Sequence, residues 1–276
     1  MAAVCKASAK ACLYTGAAAW AVEAAGVHRS GRALGYVSTG IWGGISAGPV
    51  IGQWLGSFER SAWMQTIAAL IAFALLSRVP ENYTPQPRVR GGAAGRVKES
   101  LAPGIAIGLT NVQYPVVTGF LILYMAQTGG NGPTAFSAFA LMVLFARFFF
   151  GGLPDRFPAA YTFYGGLCSM GLGLTLLAFF PGPRTSLTGA ILLGLGFAFP
   201  WSSIASTVLR RTPSHSHGSA VGVLGAYVDV FVGSGSAIAG TLAHTYGYAA
   251  AFKMALAGIG LAALAGLKVF PKKPEA

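Results

Sequence analysis

Apolar stretches of about twenty residues succeed one another along the chain, separated by short polar connections. They fall near 8–26, 33–55, 61–78, 102–127, 133–153, 160–181, 186–209, 218–242 and 248–269. A helix rising 1.5 Å per residue needs about 20 mostly apolar residues to cross a bilayer core. The pattern therefore predicts an all-α integral membrane protein of about nine transmembrane helices. The first stretch is the weakest, because it follows Lys6 and Lys10 and contains Glu23. A secretory signal peptide is the other reading of that segment, but no clear cleavage site follows it.

Most connections are short and rich in Gly, Pro and charge. Residues 79–100 are the exception, with Pro80, Pro85, Pro87, Gly91 and Gly92 among basic residues that begin at Arg78. This reads as an irregular linker between two helical bundles. Lys and Arg concentrate on the cytoplasmic side of membrane proteins. With the linker placed there, that side holds Arg29, Arg32, Arg78, Arg88, Arg90, Arg96, Lys98, Arg156, Arg210, Arg211, Lys268, Lys272 and Lys273. The other side holds only Lys6, Lys10, Arg60 and Arg184. The C-terminus is thus expected inside and, with nine spans, the N-terminus outside.

Composition supports the membrane reading. The 276 residues are 54% hydrophobic and 9% charged, against roughly 25% charged in soluble domains. The net charge of +12 does not point to nucleic acid, because the bases sit singly or in small groups between apolar runs. Cys5, Cys12 and Cys168 form no CxxC motif and no disulfide framework. His215 and His217 have no further metal-ligating residue near them in sequence. No Gly-rich phosphate loop followed by Lys is present to drive transport with ATP. No catalytic constellation, cofactor site or metal site is visible, and the chain is read as a non-enzyme. A membrane enzyme or assembly factor is the competing reading from another class.

One internal repeat is visible. Ser30-Gly31-Arg32-Ala33-Leu34-Gly35 opens the second span, and His217-Gly218-Ser219-Ala220-Val221-Gly222 opens the eighth, at an offset of 187 residues. Gly48 falls on Gly235 at the same offset. Chance matching of Gly and Ala is the alternative, but both copies follow a basic loop and open a glycine-rich span. If spans seven to nine match spans one to three, spans four to six lack partners. Those partners would precede Met1.

Two motifs carry a resemblance to a known family. Gly35, Gly44, Gly48-Pro49 and Gly52 lie at fixed spacing in the second span. Gly44 and Gly48 allow close backbone approach, and Pro49 removes a donor and bends the helix. At the end of the fifth span stands Gly151-Gly152-Leu153-Pro154-Asp155-Arg156-Phe157. Together they resemble the antiporter motif and the second copy of the loop motif of the major facilitator superfamily. The matches are imperfect. Gln53 replaces a glycine of the first pattern, and Pro158, Ala159 and Ala160 replace a glycine and two bases of the second. Ordinary helix packing and a plain charged turn are the alternatives.

The resemblance implies two six-helix bundles of which this chain carries family helices four to twelve. Residues 1–78 would form a partial N-terminal bundle of three spans and 79–100 a cytoplasmic linker. Residues 101–276 would form a C-terminal six-helix bundle with a short cytoplasmic tail. It further implies a secondary transporter of a small organic solute, of proton-coupled efflux type, monomeric and in a bacterial inner membrane. Phe199-Pro200, Arg210-Arg211-Thr212-Pro213, Gly218 and Tyr227-Val228-Asp229 resemble bacterial arabinose or multidrug exporters of that family. With three spans absent, the chain alone is expected not to transport. A gene remnant or a misplaced start codon is the alternative reading of the front end.

Ionisable groups inside a membrane are costly and mark function by default. Asp229, in the eighth span, is the candidate for proton coupling; a structural aspartate is the alternative. Arg147 could pair with Asp155 near the end of the fifth span or meet an anionic solute. Asn111, Gln113, Tyr114 and Pro115 cluster in the fourth span. Polar side chains beside a proline suggest a cavity wall. Asn111 and Gln113 are the candidates for hydrogen bonds to substrate, and Tyr114, Trp201 and Tyr227 for aromatic surface. Gly35, Gly44, Gly48, Pro49, Gly52, Gly151, Asp155, Arg156 and Arg147 are the gating and motif candidates.

Overall fold

The computed structural model describes residues 30–78, 100–150, 157–212 and 217–270, with backbone alone over 30–39, 41 and 217–219. Every regular element among them is a helix. The chain divides into two compact units, Met1–Val89 and Arg90–Ala276.

The first unit contributes α1 (Ser30–Leu55) and α2 (Phe58–Leu76). Gly56, with φ of 68°, makes the reversal between them, where a side chain would be strained. Ser57 then caps α2, its hydroxyl accepting from the Arg60 N–H at 3.2 Å. Pro49 sits within α1. No residue of α2 is buried, although Trp63, Ile67, Ile71 and Phe73 are large and apolar. The segment predicted at 8–26 lies outside the described residues.

The second unit holds eight helices in six spans: α3 (Leu101–Asn111), α4 (Gln113–Gln127), α5 (Gly132–Phe150), α6 (Ala159–Phe179), α7 (Pro183–Phe197), α8 (Phe199–Arg211), α9 (His217–Tyr246) and α10 (Tyr248–Val269). Leu101–Gln127 and Pro183–Arg211 each form one span of two helices. Six spans are long and apolar enough to cross a membrane among the described residues. α1 and α2 are helical where the second and third spans were expected but stand outside that set. Glycine-rich composition dilutes the first, and Glu59, Arg60 and Gln65 the second.

Glycines set the packing inside the second unit. Gly173 of α6 lies against Gly189 of α7, where an added Cβ would come within 2.5 Å of the Gly189 carbonyl. Gly166 of α6 meets Gly196 of α7 in the same way two turns along. Both pairs are seven residues apart on antiparallel helices, so one glycine face runs along each. α9 packs on α3 by a second register. The Tyr227 ring covers Gly104, the Phe231 ring covers Gly108, and Gly235 lies under Val112. Contacts between α10 and α6 tie the far side, with the Tyr164 hydroxyl donating to the Ala263 carbonyl at 3.2 Å.

The outside of this unit is apolar. Leu141, Phe148 and Phe149 on α5, Leu172 and Phe179 on α6, and Leu261, Leu264 and Leu267 on α10 are all exposed. Water would penalise that surface, whereas a hydrocarbon solvent does not. Together with the six apolar spans, it makes this an integral membrane protein.

Candidate functional site

Two spans are broken near their midpoints. In the first, α3 ends at Asn111, Val112 intervenes, and α4 starts at Gln113. The Val112 N–H turns to the Leu109 carbonyl at 3.3 Å, a tighter turn than the α-helical one. The cause is Pro115, whose nitrogen carries no hydrogen for the Asn111 carbonyl and whose ring crowds it. In the second, α7 ends at Phe197, Ala198 intervenes, and α8 starts at Phe199 with Pro200 in its first turn. Pro200 withholds the donor that the Gly196 carbonyl would otherwise receive.

The two breaks lie together. The Tyr114 ring stacks on Phe197 with centroids 6.0 Å apart and planes 12° from parallel. Phe197 in turn lies 6.1 Å from Phe139 of α5. Such offset aromatic pairs add about 0.5–1.5 kcal/mol beyond area burial. The aromatic cluster joins three spans at mid-depth, where the helical backbone is interrupted.

The sequence candidates separate around this point. Asn111 is half-buried and spends its amide donor on the Ile107 carbonyl of its own helix, at 2.8 Å. Gln113 is fully buried, at 0% exposure, and neither its Oε1 nor its Nε2 has a hydrogen-bond partner. A buried polar group left unsatisfied costs about 1–3 kcal/mol. Tyr114 takes the stacking position. Trp201 is half-buried on α8, whose hydroxyls turn inward on their own helix. Ser202 and Ser203 both donate to the Phe199 carbonyl, each at 2.9 Å. Ser203 also meets Thr162 of α6 at 2.8 Å.

Tyr227 and Asp229 do not share a surface. Two residues along a helix turn it by about 200°, so Asp229 lies opposite the face that packs Tyr227 and Phe231 on α3. Asp229 is exposed, in line with exposed Gly222, Ala226 and Gly233. Large apolar side chains cover the outer faces of α5 and α10, but this face of α9 is small and acidic. Of the gating candidates, Arg147 stands in the last turn of α5, half-buried. Gly44, Gly48 and Gly52 leave open space on α1, with nothing within 4 Å of an added Cβ. Gly35 lies in α1 where only backbone is described, and Gly151, Asp155 and Arg156 lie outside the described residues. No group of three or more metal-ligating side chains occurs among the described residues.

Phe197, Phe139 and the break at Ala198 were not singled out from sequence. The signal was present, since Pro200 lies inside a long apolar run just as Pro115 does.

Comparison with known proteins gives these features a context. The sequence profile described as Major Facilitator Superfamily matches residues 116–276. An uncharacterized MFS-type transporter of Salmonella typhimurium is 26% identical over 251 residues, covering 89% of this chain and 64% of the relative. Counterparts with the same description in Burkholderia mallei and Burkholderia pseudomallei are 25% identical over 260 residues, covering 92% of this chain and 62% of theirs. The chain thus spans somewhat under two thirds of the length of these curated relatives. They carry transporter names, not enzyme names. No solved structure matches the chain.

Proposed function

This chain belongs to the major facilitator superfamily, and from that premise we propose that it serves to move a small organic solute across a membrane by alternating access. The observation that carries the proposal is the meeting of two proline-broken spans at Tyr114 and Phe197. Interrupted helices at mid-membrane depth are tolerated where they line a protected or hydrated space. They also supply bending points for a rocking bundle. Tyr114 and Trp201 offer aromatic surface there, and Asn111 and Gln113 offer polar groups.

The finer reading is proton-coupled efflux in a bacterial inner membrane by a monomer, with linker and C-terminus cytoplasmic. Asp229 is the coupling residue in that reading. It is the acidic side chain among the described residues of the second unit. Its exposed face of small residues leaves room for water to reach the carboxylate. A proton taken from one side and released to the other would drive solute in the opposite direction.

The test uses inverted vesicles from cells expressing the gene in its native frame, with ethidium as the solute probe and a dye reporting internal pH. Addition of ethidium to energised vesicles is expected to release protons. Asp229→Asn is expected to abolish that release while the protein remains in the membrane at parental levels. Unchanged proton release in the variant would remove Asp229 from the coupling path. Ethidium movement that ignores the pH gradient would overturn proton coupling itself.

A further inference from the structure

We propose that the Gln113 carboxamide is a binding site for one neutral hydrogen-bonding group, a water or a solute hydroxyl or amide, held inside the second unit at the α3–α4 break. The inference rests on the broken span and would stand if the direction or coupling of transport proved different.

Among the described residues, Gln113 is the side chain that is wholly buried with both its polar atoms unpartnered. Its surroundings explain why the chain cannot satisfy it. Gln113 shares a stripe of α4 with Val117, Leu121 and Tyr124, all buried. Val117 and Leu121 have nothing to offer. The Tyr124 ring packs edge-on to Phe252 of α10, and its hydroxyl is already given to the Leu177 carbonyl of α6 at 2.7 Å. At Tyr124 the stripe faces α6 and α10, and Gln113 at its other end is wholly buried, where polar groups are normally paired. The partner has to come from outside the polypeptide.

The chemistry of the amide narrows that partner. A carboxamide presents an acceptor oxygen beside two N–H donors. A group with both a donor and an acceptor can answer both halves, whereas a simple ion answers only one. Arg147 stands half-buried in the last turn of α5, and the other charges on the neighbouring elements lie outward. Asp229 is on the exposed face of α9, and Lys253 of α10 is exposed with its Nζ over the Phe179 ring, 5.1 Å from the centroid. A neutral guest is what an uncharged interior tolerates. The break supplies further anchorage, because Pro115 leaves the adjacent Asn111 carbonyl without its helical donor.

The experiment is infrared difference spectroscopy on the 276-residue chain in detergent micelles, subtracting Gln113→Leu to isolate the Gln113 carbonyl. Gln113→Met provides the same subtraction if the leucine variant fails to fold. The proposal expects a carbonyl band displaced to the lower frequency of a hydrogen-bonded amide. If water is the guest, a water O–H stretch that shifts on exchange into water labelled with heavy oxygen is present in the parent and absent from the Gln113→Leu variant. If a solute group is required, the displacement develops only on adding acetamide. In either case sodium acetate and tetramethylammonium chloride leave the band unmoved. A band at the free-carbonyl position that ignores acetamide would overturn the proposal. A bonded band with no oxygen-isotope-sensitive water stretch and no response to acetamide would also overturn it, since the partner would then be protein. A response to the ions alone would overturn the neutral character of the site.

Discussion

At the scale of single residues, the same amino acid has different consequences within one turn of helix. Gly165 and Gly166 are neighbours on α6. A Cβ on Gly165 meets nothing within 4 Å, whereas one on Gly166 comes within 2.9 Å of the Gly196 carbonyl and 3.1 Å of Pro200 Cδ. Overpacking a tight contact costs about 1–3 kcal/mol, whereas Gly→Ala at an open helical site gains about 0.5–1 kcal/mol. Gly166→Ala is therefore expected to lower the midpoint of thermal unfolding in detergent, and Gly165→Ala to leave it level or raise it. Tyr124 gives a smaller effect. Tyr124→Phe deletes one buried hydrogen bond and is expected to cost about 0.5–1.5 kcal/mol, read from the same melting curves. Little of this was legible in the sequence. Both glycines look alike there, and only the partner helix distinguishes them. The separation of Tyr227 from Asp229 was legible in principle, because two residues cannot share a helix face.

At the scale of elements, the apolar runs placed every span of the second unit to within a few residues. Long hydrophobic stretches bounded by Gly, Pro and charge leave little choice of solution in lipid. The interruptions were half legible. Pro115 drew notice because polar residues surround it, while Pro200 sits among Phe197, Ala198, Phe199 and Trp201 and carries no polar flag. The two prolines make a joint prediction. Pro115→Ala and Pro200→Ala each return a backbone donor and allow a continuous helix. Each variant should melt at or above the parental temperature while ethidium movement in vesicles falls. A proline variant that moves ethidium at the parental rate would reduce the break to an accident of packing. The loop motif around Asp155 departs from its family pattern at Pro158, Ala159 and Ala160, and Gly151, Asp155 and Arg156 lie outside the described residues.

At the scale of the whole molecule, the second unit turns leucine and phenylalanine outward on α5, α6 and α10 while glycine mediates its internal contacts. That arrangement is stable only if the surrounding solvent is hydrocarbon. The expected sidedness follows from basic residues at alternate connections. The most direct test is the reach of a membrane-impermeant thiol reagent in intact cells. Single cysteines at Gly129, Pro181, Thr212 and Ala276 would be introduced into a chain whose Cys5, Cys12 and Cys168 are replaced by serine. The account predicts labelling of Gly129→Cys and Pro181→Cys in intact cells, and of Thr212→Cys and Ala276→Cys only after the membrane is opened. Equal labelling of all four positions in intact cells would contradict it.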